Sequence, residues 1–262
     1  MILAAVLGAA IGAAPAPTPA PVDRFPGAAA SYLVAVDGRI VWERKADTPR
    51  PPASLTKIMT ALVVLERGWD PSARVTVSAA AAAATGSRAG LRAGDRVVAG
   101  ELFAAMLVGS SNDACAALAE HAGGSAAAFV SRMNARAEGM GLKATHFANA
   151  CGHDDKGQRS SAHDLRILAE AAMARPEIAA VVKQTEASLS TSKGRKLTVK
   201  TGNHLLVRCP GVIGVKSGYT PGAGKCLVVA ALRNGKKVLI VLLNADNRWW
   251  NAAALVEAAF DD

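Results

Sequence analysis

Three short groups of residues in this chain carry side chains that could do chemistry together. Ser54-Leu55-Thr56-Lys57 sets a hydroxyl and an amine three positions apart at the start of an apolar run with helical spacing. Ser110-Ser111-Asn112 offers a hydroxyl and a carboxamide between two further helical runs. The stretch GVKSGYT places Lys216, Ser217, Gly218 and Tyr219 in succession, flanked by the apolar runs LLV and CLVVAAL. A lysine beside a hydroxyl and glycines suggests a phosphate loop, but that loop needs glycine directly before the lysine and a helix after it. Val215 stands before Lys216, and strand-like residues follow.

Serine is a weak nucleophile unless a base removes its proton. In a helix at about 100° per residue, Ser54 and Lys57 fall within about 60° of each other, so both can face one cleft. Ala61 and Val64 flank Lys57 on the same projection. Apolar neighbours strip water from an ammonium and lower its pKa, which makes the neutral amine available as a base. The N–H groups at a helix start can also receive a developing oxyanion. An isolated Ser-x-x-Lys is more often a capping serine followed by a surface lysine, so the pair needs the other two groups to gain meaning.

The elements that must position these residues are readable in outline. SYLVAVDGRIVWERK predicts a hairpin turning at Asp37-Gly38, a dipeptide that accepts positive φ. The proline-rich ADTPRPPAS then forces an extended path into SLTKIMTALVVLERG, where Leu55, Ile58, Met59, Leu62 and Val63 keep helical spacing and Gly68 is a plausible stop. Short Ala- and Gly-rich helices follow to about Gly157, ELFAAMLVG and NDACAALAEHA being the clearest. SSAHDLRILAEAAMA predicts another helix, with Pro176 beyond it. LTVKTGNHLLV, CLVVAAL and VLIVLLN read as strands, the last two joined at Arg233-Asn234-Gly235, and WWNAAALVEAAF as a closing helix. The order implies an α+β fold, an antiparallel sheet flanked by helices with a helical insertion, not alternating βαβ units.

Composition removes several function classes. The net charge is +9, but the basic residues are scattered and only KGRK at Lys193–Lys196 clusters. With five Phe, four Trp and two Tyr and no basic-aromatic interleaving, nucleic acid is not an expected partner. Cys115, Cys151, Cys209 and Cys226 lack zinc-ligand spacing. Four cysteines allow three full disulfide connectivities, and the sequence does not choose among them. The opening ILAAVLGAAIGAA followed by PAPTPAP has the apolar stretch of a secretory leader, without a preceding Lys or Arg. Residues 1–21 therefore read as signal peptide and linker, and 22–262 as one domain with a helical insertion over about 70–160.

Taken in order, SLTK, SSN and KSG resemble the Ser-x-x-Lys, Ser-x-Asn and Lys-Thr/Ser-Gly motifs of the penicillin-recognising serine enzymes. The flanks PASLTKIMTAL, SSNDACAALAE, SSAHDL and GVKSGYTPGAGKCLV are similar to the D-alanyl-D-alanine carboxypeptidases among low-molecular-mass penicillin-binding proteins. The resemblance runs from about Phe25 to Phe260. It implies the β-lactamase/transpeptidase-like fold and a substrate peptide ending in D-alanyl-D-alanine, with β-lactams as inhibitors. Ser54 would be the nucleophile, Lys57 its base and Ser110 the proton relay to the leaving amine. Asn112 would hold the acyl-side amide, and Lys216, Ser217 and Gly218 would line the substrate on an edge strand. The N–H groups of Ser54 and Tyr219 would form the oxyanion hole. No metal or organic cofactor is implied, since serine, lysine and aligned amides suffice.

Departures from the family pattern are Ser217 where threonine is usual, Ile213 where aspartate is common, and Asn149-Ala150-Cys151-Gly152-His153 in place of Asn-Pro-x-Gly-Leu. His153-Asp154-Asp155 could suggest a metal, but adjacent residues rarely converge on one ion. Arg248, at the entry to the last helix where relatives often carry arginine, is expected to meet the substrate carboxylate with the Ser217 hydroxyl; a surface arginine stacked on Trp249 or Trp250 is the alternative. A β-lactamase would share the motifs, but no Glu-x-x-Leu-Asn follows Ser110, and Glu170 leads the nearest acidic helix. A sensor or non-catalytic peptidoglycan-binding domain is the rival of another class, disfavoured by the intact Ser54, Lys57, Ser110 and Lys216. The apolar leader points to an exported protein of the periplasm or cell-wall space. The chain ends at Asp262, where many relatives continue to a membrane-gripping helix, so no firm membrane anchor is expected.

Overall fold

The computed structural model describes residues 24–66 and 68–261, so the expected leader and linker lie outside the described residues. The chain opens with β1 (Ser31–Val36) and β2 (Arg39–Arg44), then a 3-10 turn (Ala53–Thr56) running into α1 (Lys57–Leu65). The insertion holds β3 (Arg74–Thr76), α2 (Ala79–Ala82), β4 (Arg96–Val98), α3 (Ala99–Val108), α4 (Asn112–Gly123) and α5 (Ala126–Gly139). Next come α6 (Ala162–Met173), α7 (Pro176–Val182), β5 (Glu186–Ser190), β6 (Lys196–Lys200) and α8 (Leu205–Arg208). The chain returns through β7 (Val212–Thr220), β8 (Gly224–Arg233) and β9 (Lys236–Leu243) to α9 (Arg248–Asp261).

The main sheet has five antiparallel strands in the order β2-β1-β9-β8-β7. Its hairpins use one device twice. Asp37 and Gly38 take φ 47° and 81°, and Asn234 and Gly235 take φ 48° and 81°. Paired positive φ matches the right-handed twist of the flanking strands, which is why Asp-Gly and Asn-Gly sit there. Alternate side chains divide between two cores. Leu33, Val228 and Val241 pack toward the helices of the insertion side, while Tyr32, Val34, Val229 and Ile240 pack beneath α9 with Leu255 and Val256. Both faces of β8 and β9 are therefore covered, which explains their near-continuous apolar sequences. Burying a side chain such as Leu255 contributes on the order of 1.5–3 kcal/mol.

The α+β arrangement with its helical insertion is as expected, with three local corrections. LTVKTGNHLLV is not one strand: β6 ends at Lys200, and Leu205–Arg208 form a helical turn. The Asn203 side chain takes the Leu205 N–H at 3.2 Å, the local capping bond by which Asn competes with a strand ladder. The Ala- and Gly-rich insertion also contains a two-stranded ribbon, β3 with β4, in addition to its helices. Third, Ser54 does not open the α-helix itself but lies on the 3-10 turn before it. KGRK is the tip of the β5–β6 hairpin, though Arg195 there turns inward to Asp95 at 2.9 Å.

Candidate active site

The 3-10 turn improves on the helical projection. At three residues per turn, side chains at i and i+3 eclipse, so Ser54 and Lys57 stand on one line. Lys57 is fully buried, and its Nζ lies 3.1 Å from Ser54 Oγ, 2.7 Å from Asn112 Oδ1 and 2.6 Å from the Cys151 carbonyl. Burial, and then repulsion from Lys216, hold its pKa well below the usual lysine value. Asn112 opens α4, and its Nδ2 donates to the Thr85 carbonyl at 2.5 Å, which fixes Oδ1 toward the lysine. Ser110 lies between α3 and α4, two residues before Asn112, and takes a left-handed backbone at φ 57°, a conformation a serine adopts only when its surroundings impose it.

β7 is the edge strand opposite. A Cβ on Gly218 would stand 2.8 Å from Ser54 N, so glycine lets the strand approach the serine turn. The Ser54 and Tyr219 N–H groups thus belong to adjoining backbone. Tyr219 itself points outward, 60% exposed. Lys216 is buried, its Nζ 2.9 Å from the Ser217 carbonyl, and its pKa is lowered to about 7 by burial first and then by Arg248.

Arg248 shows the Trp249 stacking of the second alternative read from the sequence, together with bonds to backbone carbonyls of the sheet. Its Nη1 donates to the Gly218 carbonyl and, at 3.4 Å, to the Cys226 carbonyl, while its guanidinium lies 4.5 Å over the Trp249 ring. It therefore braces β7 beside the lysine, and its buried Nε has no partner among the described residues. Glu170, the acid considered for water activation, is exposed on α6 and paired with Arg166 at 2.8 Å.

The sequence reading named Asn149–His153 only as a departure from the family pattern; in the structure this loop closes the site behind Lys57. Asn149 Oδ1 accepts from the N–H groups of Cys151, Gly152 and His153 at 3.3, 2.8 and 3.0 Å. Thr60 Oγ1 donates to the Ala150 carbonyl at 2.5 Å, and Gln158 Nε2 to Thr56 Oγ1 at 2.7 Å, tying the loop to α1 and the turn before it. His153 and the two aspartates diverge. His153 Nε2 lies 3.2 Å from Asn112 Nδ2, Asp154 takes Thr220 Oγ1 and Gly222 N, and Asp155 takes Gly157 N. Cys115 and Cys151 form a disulfide, and Cys209 and Cys226 are free thiols. The one signal for this loop was Asn149-x-x-Gly152, a side chain that bonds its own backbone followed by a residue free to take positive φ.

The two lysines have opposite demands, which gives a pH prediction. Lys57 must be neutral to accept a proton, so reaction with serine rises with pH through its depressed pKa. Lys216 must be charged to attract an anion, and in the free protein it loses its proton near pH 7. For a ligand bearing a carboxylate, kcat/KM against pH should be bell-shaped, falling on the basic side from about 7. An amidated ligand should lack that basic limb; an identical limb for both would assign it to another group.

The profile of a family described as D-alanyl-D-alanine carboxypeptidase matches residues 22–247. The chain is 33% identical over 223 residues to the carboxypeptidase DacF of Bacillus subtilis, covering 83% of this chain and 57% of that protein. With DacB2 of Mycobacterium tuberculosis the identity is 34% over 244 residues, covering 89% of this chain and 83% of the relative. The solved Streptomyces K15 DD-transpeptidase superposes with a TM-score of 0.85 at 32% identity, over 90% of this chain and 98% of that one. A buried lysine against a serine, a carboxamide and an edge-strand Lys-Ser-Gly thus occur together in a chain that belongs to the D-alanyl-D-alanine carboxypeptidase family of penicillin-binding proteins.

Proposed function

We propose that this chain removes the terminal D-alanine from peptidoglycan stem pentapeptides through an ester on Ser54. The observation that carries the reading is the fully buried Lys57 amine 3.1 Å from Ser54 Oγ, with its pKa depressed. Lys57 takes the hydroxyl proton as Oγ attacks the carbonyl between the two D-alanines, and the Ser54 and Tyr219 N–H groups receive the oxyanion. Ser110 passes a proton to the departing amine as the C–N bond breaks. Water then hydrolyses the ester and restores Ser54. Asn112 holds the acyl-side amide, and Lys216, Ser217 and Arg248 draw in the terminal carboxylate along Gly218. A β-lactam presents a comparable carbonyl and carboxylate and would leave its acyl group on Ser54.

The workplace is the cell-wall space outside the membrane. Among the described residues no helix is long and apolar enough to cross a membrane.

Digesting a pentapeptide muropeptide and weighing the products tests the reading: loss of one alanine with release of free D-alanine is expected. Because a structural neighbour is a DD-transpeptidase, cross-linked dimers are the competing outcome, and dimers without tetrapeptide would overturn hydrolysis. Truncating one charge-assisted contact costs roughly 1.5–3 kcal/mol, about ten- to a hundredfold. Arg248→Ala should lower kcat/KM by that factor for a peptide acid and much less for its amide. Equal losses would mean that Arg248 serves only to brace β7.

A further inference from the structure

We propose that the Cys115–Cys151 disulfide positions Lys57, because it staples together the two elements that carry the acceptors of its amine. The inference rests on the function proposed above. A neutral lysine amine has two N–H bonds and one lone pair. Two fixed acceptors face Nζ, Asn112 Oδ1 at 2.7 Å and the Cys151 carbonyl at 2.6 Å. When they take the two N–H bonds, the lone pair is left for the Ser54 hydroxyl, 3.1 Å away. The direction of the base is therefore set by where those two oxygens stand.

One oxygen belongs to the first residue of α4, the other to the loop after the insertion. They are far apart in sequence, and the disulfide spans 36 positions to join them. Cys115 lies one turn along α4 from Asn112, with its N–H on the Ser111 carbonyl at 3.0 Å. Cys151 supplies the second acceptor from its own backbone. Hydrogen bonds from Thr60 and Gln158 tie this loop to α1 and the serine turn. Toward α4 a 3.2 Å contact between His153 Nε2 and Asn112 Nδ2 lies beside the disulfide. The charged groups bearing on Lys57 are Lys216 from β7 and, through Asn112, the titratable His153. Neither neutralises an ammonium, so the acceptor pair and burial govern the amine.

The test is the rate constant for acylation by a labelled penicillin, measured across pH and normalised to titrated sites. Cys115→Ala/Cys151→Ala should be slowed about ten- to a hundredfold, the cost of a reacting group misplaced by about 1 Å. Its acidic limb should move to higher pH, because a looser seat admits water to the ammonium. Cys209→Ala, which removes a free thiol elsewhere, should match the wild type. A double variant with lowered Tm but unchanged rate constant and limb would overturn the proposal, showing that the bond only stabilises the fold. Should that variant not fold, wild-type protein reduced with a phosphine in mild urea until alkylation counts four thiols, then returned to buffer, provides the same comparison. A wild-type protein that penicillin does not label would instead refute the functional reading.

Discussion

Ser54→Ala should abolish covalent labelling by penicillin, where the wild type takes up one equivalent. No other hydroxyl sits on Lys57 Nζ in the described residues, so nothing replaces the lost nucleophile. Lys57→Arg should fail by about 10²–10⁴-fold even though it keeps the charge, because a guanidinium stays protonated and cannot accept the serine proton. Lys57→Met separates the two causes: it keeps the apolar packing of the buried chain and removes only the amine. Its rate should lie within the same range, without the acidic limb that the lysine imposes. Stoichiometric labelling of the Ser54→Ala protein would sink the assignment of the nucleophile. Near-wild-type rates with Lys57→Met would transfer the base to another group.

These residues were legible because each motif is a short run in which residue type and local geometry agree. Ser54 and Lys57 stand three apart at the start of a run with helical spacing, and the edge strand of Lys216 to Gly218 was implied by the family resemblance that the three motifs carry together. The two hairpins were legible for a similar reason, since Asp37-Gly38 and Asn234-Gly235 have few other uses. One partner of Lys57 was not legible, because it acts through backbone. The Cys151 carbonyl carries no residue signature, and the cysteine pairing depends on a fold that the spacing does not encode. Leu205 and Leu206 were misread as strand because two apolar residues fit either period; the Asn203 side chain decided for a turn. Arg248 was half legible. Its place beside the Lys-Ser-Gly strand was foreseeable, but its bonds to the Gly218 and Cys226 carbonyls came only with the packing of α9.

Gly152 packs against the serine turn, and its substitution by alanine should be among the most damaging. A Cβ there would lie 2.0 Å from the Ala53 carbonyl oxygen, 2.5 Å from its carbon and 2.9 Å from Ser54 N. All three atoms are backbone of the turn that presents the nucleophile, so no side chain can swing away to relieve the clash. Ala53 already takes φ 49°, and Gly152 itself takes φ 87°, so both faces of the contact are held in the left-handed region. Relief requires the turn and the loop to separate by about 1 Å, and a displacement of that size at a reacting centre costs about a hundredfold. Gly235→Ala is the matched control: its φ is 81°, but nothing lies within 4 Å of the added methyl. It should lower stability by about 1–2 kcal/mol through backbone strain alone and leave acylation unchanged. Penicillin acylation of Gly152→Ala should fall at least about a hundredfold below that control at equal folded fraction. Equal rates for the two variants would show that the loop can yield without moving Ser54.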